Sequence, residues 1–306
     1  MYHWLKARLD NFEKFSQFWM SLVIIAGLVF LFLSYQLKSW GYILYRPGSQ
    51  YSDLAITFWP NIIYIKNSIL NYGQLPLWRT LIFSGSPFDI DPQSGLWYPF
   101  NLIFLVLPTI FGFNFLFFVH MLMAGVGMWF WSRETKSSYA GSLLASLTYT
   151  FSPKIIAHLG FGHVGLVYGA TYIPWAFWAV LKIYNTSWKY AGLWGLILGL
   201  QLIANPQLFT YTALITCGYG LLKICVSFRL NRDWSTFNKG VRNILLGLLF
   251  SILVSAVQLL PMIKFAPLSG RQSMELVDSA ISSMPLHYLV GILIADQHGY
   301  MEYMLY

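Results

Sequence analysis

The chain has 306 residues, of which 57% are apolar and only 10% are charged. A soluble protein carries about a quarter charged residues, so the solvent for most of this chain is lipid. The net charge of +8 is scattered through short loops, which membrane topology explains better than a nucleic-acid-binding surface does.

Apolar runs long enough to cross a hydrocarbon core of ~30 Å, which takes about 20 helical residues, are predicted at 17–36, 113–132, 139–157, 164–183, 190–206, 208–226 and 243–265. The expected fold is an all-α polytopic membrane protein of about seven transmembrane helices. It forms a single transmembrane domain over 1–306, with a long first outer loop at 37–112 and an outer C-terminal segment at 266–306. The first run is too long and too aromatic for a cleaved signal peptide and reads as an anchor. Cys217 and Cys225 share one apolar run. On a helix they stand about 12 Å apart, too far for a disulfide.

Basic residues set the orientation. With the N-terminus in the cytoplasm, the inner side collects Lys6, Arg8, Lys14, Arg133, Lys136, Lys182, Lys189, Lys223, Arg229, Arg232, Lys239 and Arg242. The outer side holds Lys38, Arg46, Lys66, Arg79, Lys154, Lys264 and Arg271, and most of the acids with them. This is the positive-inside sense. The spans carry no internal carboxylate, and the ionisable residue deepest in them is His120. Ion-coupled carriers generally need intramembrane carboxylates or pairs, so an ion-coupled transport reading is weakened.

Long loops tend to be functional. In the first outer loop the pattern becomes helical from Leu54, with polar Thr57, Asn61, Tyr64, Ser68 and Asn71 set between broad apolar positions, and Tyr72-Gly73 as a stop. Such an amphipathic helix is expected to lie in the membrane interface. Asp53 stands at its start. It reads either as a helix cap, accepting from unpaired backbone N–H groups, or as a carboxylate at the outer lipid–water boundary that acts as general base. A carboxylate engaged with backbone amides is the weaker base.

Residues 75–101, LPLWRTLIFSGSPFDIDPQSGLWYPFN, follow, with Gly85, Pro87, Pro92, Gly95 and Pro99 breaking regular structure. Asp91 is read as fixing this loop or bonding a sugar hydroxyl, in preference to holding a metal with Asp89. Arg79 is a candidate phosphate partner or, more simply, a headgroup anchor. His158 and His163 flank the turn in AHLGFGHVG. They could bind a metal but lack an adjacent third ligand, and interfacial hydrogen bonding is the simpler reading. His163 is a candidate contact for a donor phosphate. Asn205-Pro206-Gln207 interrupts the fifth span. It either lines a cavity or makes a tight helical hairpin.

The "SD" at 52–53, the interfacial helix, LPLWRTLIFSGSPFDIDPQSGLWYPFNLIF, GVGMWFWSRE and LTYTFSP together resemble the YfhO-type bacterial membrane proteins, grouped with the GT-C glycosyltransferases. The resemblance implies an enzyme of the bacterial inner membrane that uses a polyprenyl-phosphate-linked sugar, with no cofactor and no metal. It implies an essential acid in the first outer loop, matched by Asp53, and a later basic residue for the donor phosphate, matched by Arg271. It also implies more than seven spans, so that a chain ending at Tyr306 is expected to be an N-terminal portion. The partners implied are membrane lipid, the polyprenyl-phosphate sugar and an envelope glycan acceptor, with no nucleic acid. Transfer of this kind needs a base for the acceptor's proton, a cation for the leaving phosphate and an apolar groove for the lipid chain. The alternatives are a non-catalytic transporter or flippase of lipid-linked envelope precursors, and a structural subunit of an envelope assembly.

Overall fold

The computed structural model describes residues 2–37, 39–42, 44, 52–82, 84–183 and 188–269. The chain divides into two compact units, Met1–Met262 and Ile263–Tyr306. In the second, the described part is the end of the last helix and a 3-10 turn at Ala266–Leu268.

The helices in chain order are α1 (Tyr2–Leu37), α2 (Trp59–Tyr72), α3 (Thr109–Glu134), α4 (Tyr139–Thr150), α5 (Pro153–Gly160), α6 (Val164–Ile183), α7 (Trp188–Ala204), α8 (Pro206–Asn231) and α9 (Trp234–Phe265). A π-helical turn at Leu54–Phe58 leads into α2, and a 3-10 helix spans Pro99–Leu105. Two short antiparallel strands, β1 (Trp78–Arg79) and β2 (Ser86–Pro87), pair in the long loop between α1 and α3.

Among the described residues five helices are long and apolar enough to cross a membrane, at Phe15–Leu37, Thr109–Glu134, Val164–Ile183, Pro206–Asn231 and Trp234–Leu268. They contain the predicted runs at 17–36, 113–132, 164–183, 208–226 and 243–265. The expected run at 139–157 is instead two helices. α4 ends at Thr150 and α5 begins at Pro153, because proline lacks an N–H and pushes the preceding residue, Ser152, into extended backbone. Twelve residues in α4 rise only about 18 Å. α7 has 17 residues and stops where Asn205-Pro206 was expected to interrupt it. There the Asn205 side chain accepts from Leu208 N–H at 2.8 Å and caps α8.

α6 packs against α3, α7 and α8, and carries buried Tyr168, Tyr172, Ala176 and Ala179 into the core. Small residues allow the close approaches. A Cβ on Gly195 would stand 2.4 Å from the Gly247 carbonyl oxygen, and one on Gly199 would meet Val254, which fits the small-residue packing of helices in lipid. At the end of the bundle where α3 and α6 finish, Lys182 pairs with Glu134. At the other end, the start of α6 meets Asp53, whose N–H donates to the Phe161 carbonyl at 3.1 Å.

The loop helix differs from its expected setting on one face. Asn61, placed by periodicity among the water-facing residues, is 2% exposed. Its amide nitrogen donates to the Gln93 carbonyl and its oxygen accepts from Arg79 Nη1 at 2.7 Å, while Tyr64 donates to the Trp78 carbonyl. The 75–101 segment folds over the polar side of α2. What α2 and its leading turn leave exposed is Ile56, Pro60, Ile63, Asn67, Leu70, Asn71 and Tyr72, of which Ile56, Ile63 and Leu70 stand seven residues apart and so on one face.

Candidate functional site

Two clusters of polar groups stand out, one buried among the helices and one half-exposed at the end where α6 begins. The buried cluster centres on His120, on α3. Its Nδ1 lies 2.7 Å from the Leu116 carbonyl. A carbonyl only accepts, so Nδ1 carries the hydrogen, and the neutral ring presents its lone pair at Nε2. The Tyr98 hydroxyl donates to that lone pair at 2.6 Å and accepts from the Tyr172 hydroxyl at 2.7 Å. Tyr168 stacks on the imidazole with ring centroids 3.8 Å apart. Tyr98, from the long loop before α3, is thereby fixed into the bundle.

The second cluster is built by three elements. Asp53 heads the π-helical turn, His158 is near the end of α5, and His163 precedes α6. Gly162, with φ +74°, makes the turn that joins them. A Cβ there would lie 2.4 Å from Ser52 Oγ and 2.6 Å from Leu54 N, so only glycine lets the loop seat against the α5–α6 turn. Asp53 Oδ2 then lies 3.5 Å from His163 Nε2, with the side chains 40% and 33% exposed respectively. His163 Nδ1 lies 2.8 Å from His158 Nδ1.

The two readings of Asp53 are separated by its geometry. Its backbone is helical, and its side chain makes no capping hydrogen bond. The carboxylate faces an imidazole and solvent, not the backbone amides of α2.

Of the other expected site residues, Arg79 bonds Asn61 and lies over the Phe88 ring at 5.3 Å. Asn61 stands two turns along the loop helix from Asp53, about 12 Å away. Asp91 accepts from Gln93 N–H at 2.9 Å, an Asx turn that holds the 89–94 bend. Arg271 lies outside the described residues.

His163 has a partner at each ring nitrogen. The same fact bears on metal binding. Asp53 sits at Nε2 and His158 at Nδ1, on opposite sides of one ring, so the three groups do not converge on one ion. Among the described residues no group of three such side chains is arranged to hold a metal.

Lys154 is one helical turn before His158, on the same face of α5. An apolar groove of about 440 Å³ runs between α3 and α4, lined by Met128, Leu144, Ala145, Thr148, Tyr149 and Ser152. It ends at Ser152, immediately before α5. The contact between Asp53 and His163 has no local sequence signal; the glycines around the histidines, Gly160, Gly162 and Gly165, signal only a close backbone approach.

Compared with known proteins, the chain matches no family model, no curated protein and no solved structure.

Proposed function

We propose that this chain is a membrane glycosyltransferase of the GT-C type. It moves a sugar from a polyprenyl-phosphate donor to an envelope acceptor on the outer face of a bacterial inner membrane. The N-terminus lies in the cytoplasm, and α4 with α5, together with α7, complete seven crossings. The exposed apolar stripe of Ile56, Ile63 and Leu70 supports an interfacial seat for the loop helix.

The observation that carries the reading is the state of Asp53. Its carboxylate is half-exposed, free of backbone bonds, and oriented by His163. The acceptor's oxygen attacks the anomeric carbon, the bond from that carbon to the phosphate oxygen breaks, and the configuration inverts. The negative charge of Asp53 drives removal of the acceptor's proton. Lys154 on α5 supplies a cation for the leaving phosphate, and the α3–α4 groove holds the first isoprene units of the donor.

The test supplies radiolabelled polyprenyl-phosphate hexoses to membranes that contain the full-length protein. Asp53→Ala is expected to lower transfer about 10²–10⁴-fold while protein abundance and thermal stability are retained. Undiminished transfer by this variant contradicts the reading and returns the protein to the flippase class.

A further inference from the structure

The hydrogen-bond chemistry of the three outer groups determines which atom is free to take the acceptor's proton. This step rests on the transferase reading. An ionised Asp53 at 3.5 Å favours a hydrogen on His163 Nε2 over a lone pair there. Neutral His163 then has its lone pair on Nδ1. A separation of 2.8 Å between the two Nδ1 atoms fits one hydrogen between them, so His158 must be the donor. The lone pair of His158 is therefore left on Nε2, at the open end of the chain. Among the described residues no protein group is bonded to that nitrogen.

We propose that His158 is a further residue of this site: its Nε2 takes the proton of the acceptor hydroxyl, with His163 and Asp53 acting through it in sequence. The acceptor O–H bond breaks as the oxygen–carbon bond to the sugar forms, and the electron pair of the cleaved sugar–phosphate bond leaves on the phosphate. The proton arrives at His158 Nε2. The hydrogen between the two Nδ1 atoms then moves to His163, so the positive charge comes to rest beside the Asp53 carboxylate. The hydrogen then returns from His163 Nδ1 to His158 Nδ1 as the proton leaves to water from His158 Nε2, which restores the starting tautomers. This is the base-and-orienter arrangement of nucleophilic enzymes with one ring added.

The charged and titratable groups that face His158 are Lys154 from its own helix, His163 from the turn before α6, and Asp53 beyond His163 from the outer loop. The lone pair on Nε2 is what a base must present. Falling pH charges the histidine pair and stops the reaction, so the rate profile carries an acid limb.

Two experiments test the chain. In the first, the purified full-length protein is treated with diethyl pyrocarbonate, which acylates imidazole nitrogens that carry a lone pair, and the modified residues are mapped by mass spectrometry. His158 is expected to react about tenfold faster than His163; faster reaction at His163 overturns the assignment. In the second, His158→Ala and His158→Gln are assayed for transfer from polyprenyl-phosphate hexoses. Both are expected to lose about 10²-fold or more, His158→Ala is partly restored by added imidazole, and the acid limb is absent from its residual rate. Full transfer by either variant, or a loss that imidazole does not restore, overturns the proposal. Loss in Asp53→Ala with full transfer in His158→Ala removes the chain and keeps the transferase; full transfer in Asp53→Ala removes both.

Discussion

His120 and the His158–His163 pair present the same side chain in two environments. His120 is fully buried, and fixed neighbours saturate its ring: a main-chain carbonyl on one nitrogen and the Tyr98 hydroxyl on the other. The His158–His163 pair is half-exposed, meets through the two Nδ1 atoms, and among the described residues has no protein group at His158 Nε2, beside a His163 that faces the Asp53 carboxylate. A saturated ring in a dry core holds parts of the fold together. A ring with one open nitrogen at the edge of the bundle has a valence left for chemistry. Burial and the count of bonded nitrogens separate the two roles, although both histidines flank or lie in apolar runs.

The comparison can be broken from either side. His120→Phe has the larger expected effect on the protein. It removes the imidazole that accepts from the Tyr98 hydroxyl and donates to the Leu116 carbonyl, leaving Tyr98 only its bond with Tyr172, a cost of ~1–3 kcal/mol. Thermal unfolding in detergent should show that loss. The transfer rate per folded molecule and its acid limb should stay where they are. A shift of the acid limb in this variant would move the chemistry into the bundle and end the distinction.

Gly162→Ala should act the other way. The added methyl meets Ser52 and Leu54 at a positive φ that disfavours alanine, a strain of ~1–2 kcal/mol, so the global stability loss is the smaller of the two. It should nevertheless displace Asp53 from His163 and lower transfer by at least tenfold, which a rate and a melting curve on the same preparation will separate. Equal transfer by Gly162→Ala and the unmodified protein would mean that the Asp53–His163 contact has no part in the reaction.

The sequence made the long elements visible because lipid imposes them. α3, α6, α8 and α9 were read from uninterrupted apolar runs, since only a helix satisfies its own backbone in hydrocarbon. The break at Ser152–Pro153 was less legible, because the apolar run continues across it and hydropathy averages over one proline. Gly73 was read as a stop and adopts φ +63° at the end of α2.

Asn61 shows where periodicity stops informing. Its place on a helical wheel says which side it faces, and that side proved to be covered by the 75–101 segment, where Arg79 and Gln93 await it. Asp53 was found as a candidate from its position at a helix start, and Asp91 as a loop-fixing residue from its turn context. Whether Asp53 capped the helix depended on a rotamer and on His163, a residue far along the chain. No local pattern carries that.

The account stands on Asp53 facing the outside of the cell. Asp53→Cys, in a protein whose Cys217 and Cys225 are replaced by serine, places one thiol at that position. A membrane-impermeant maleimide added to intact cells is predicted to label it fully without permeabilisation. Labelling only after the membrane is opened would put the carboxylate on the cytoplasmic side, away from a donor presented outside, and would contradict the account.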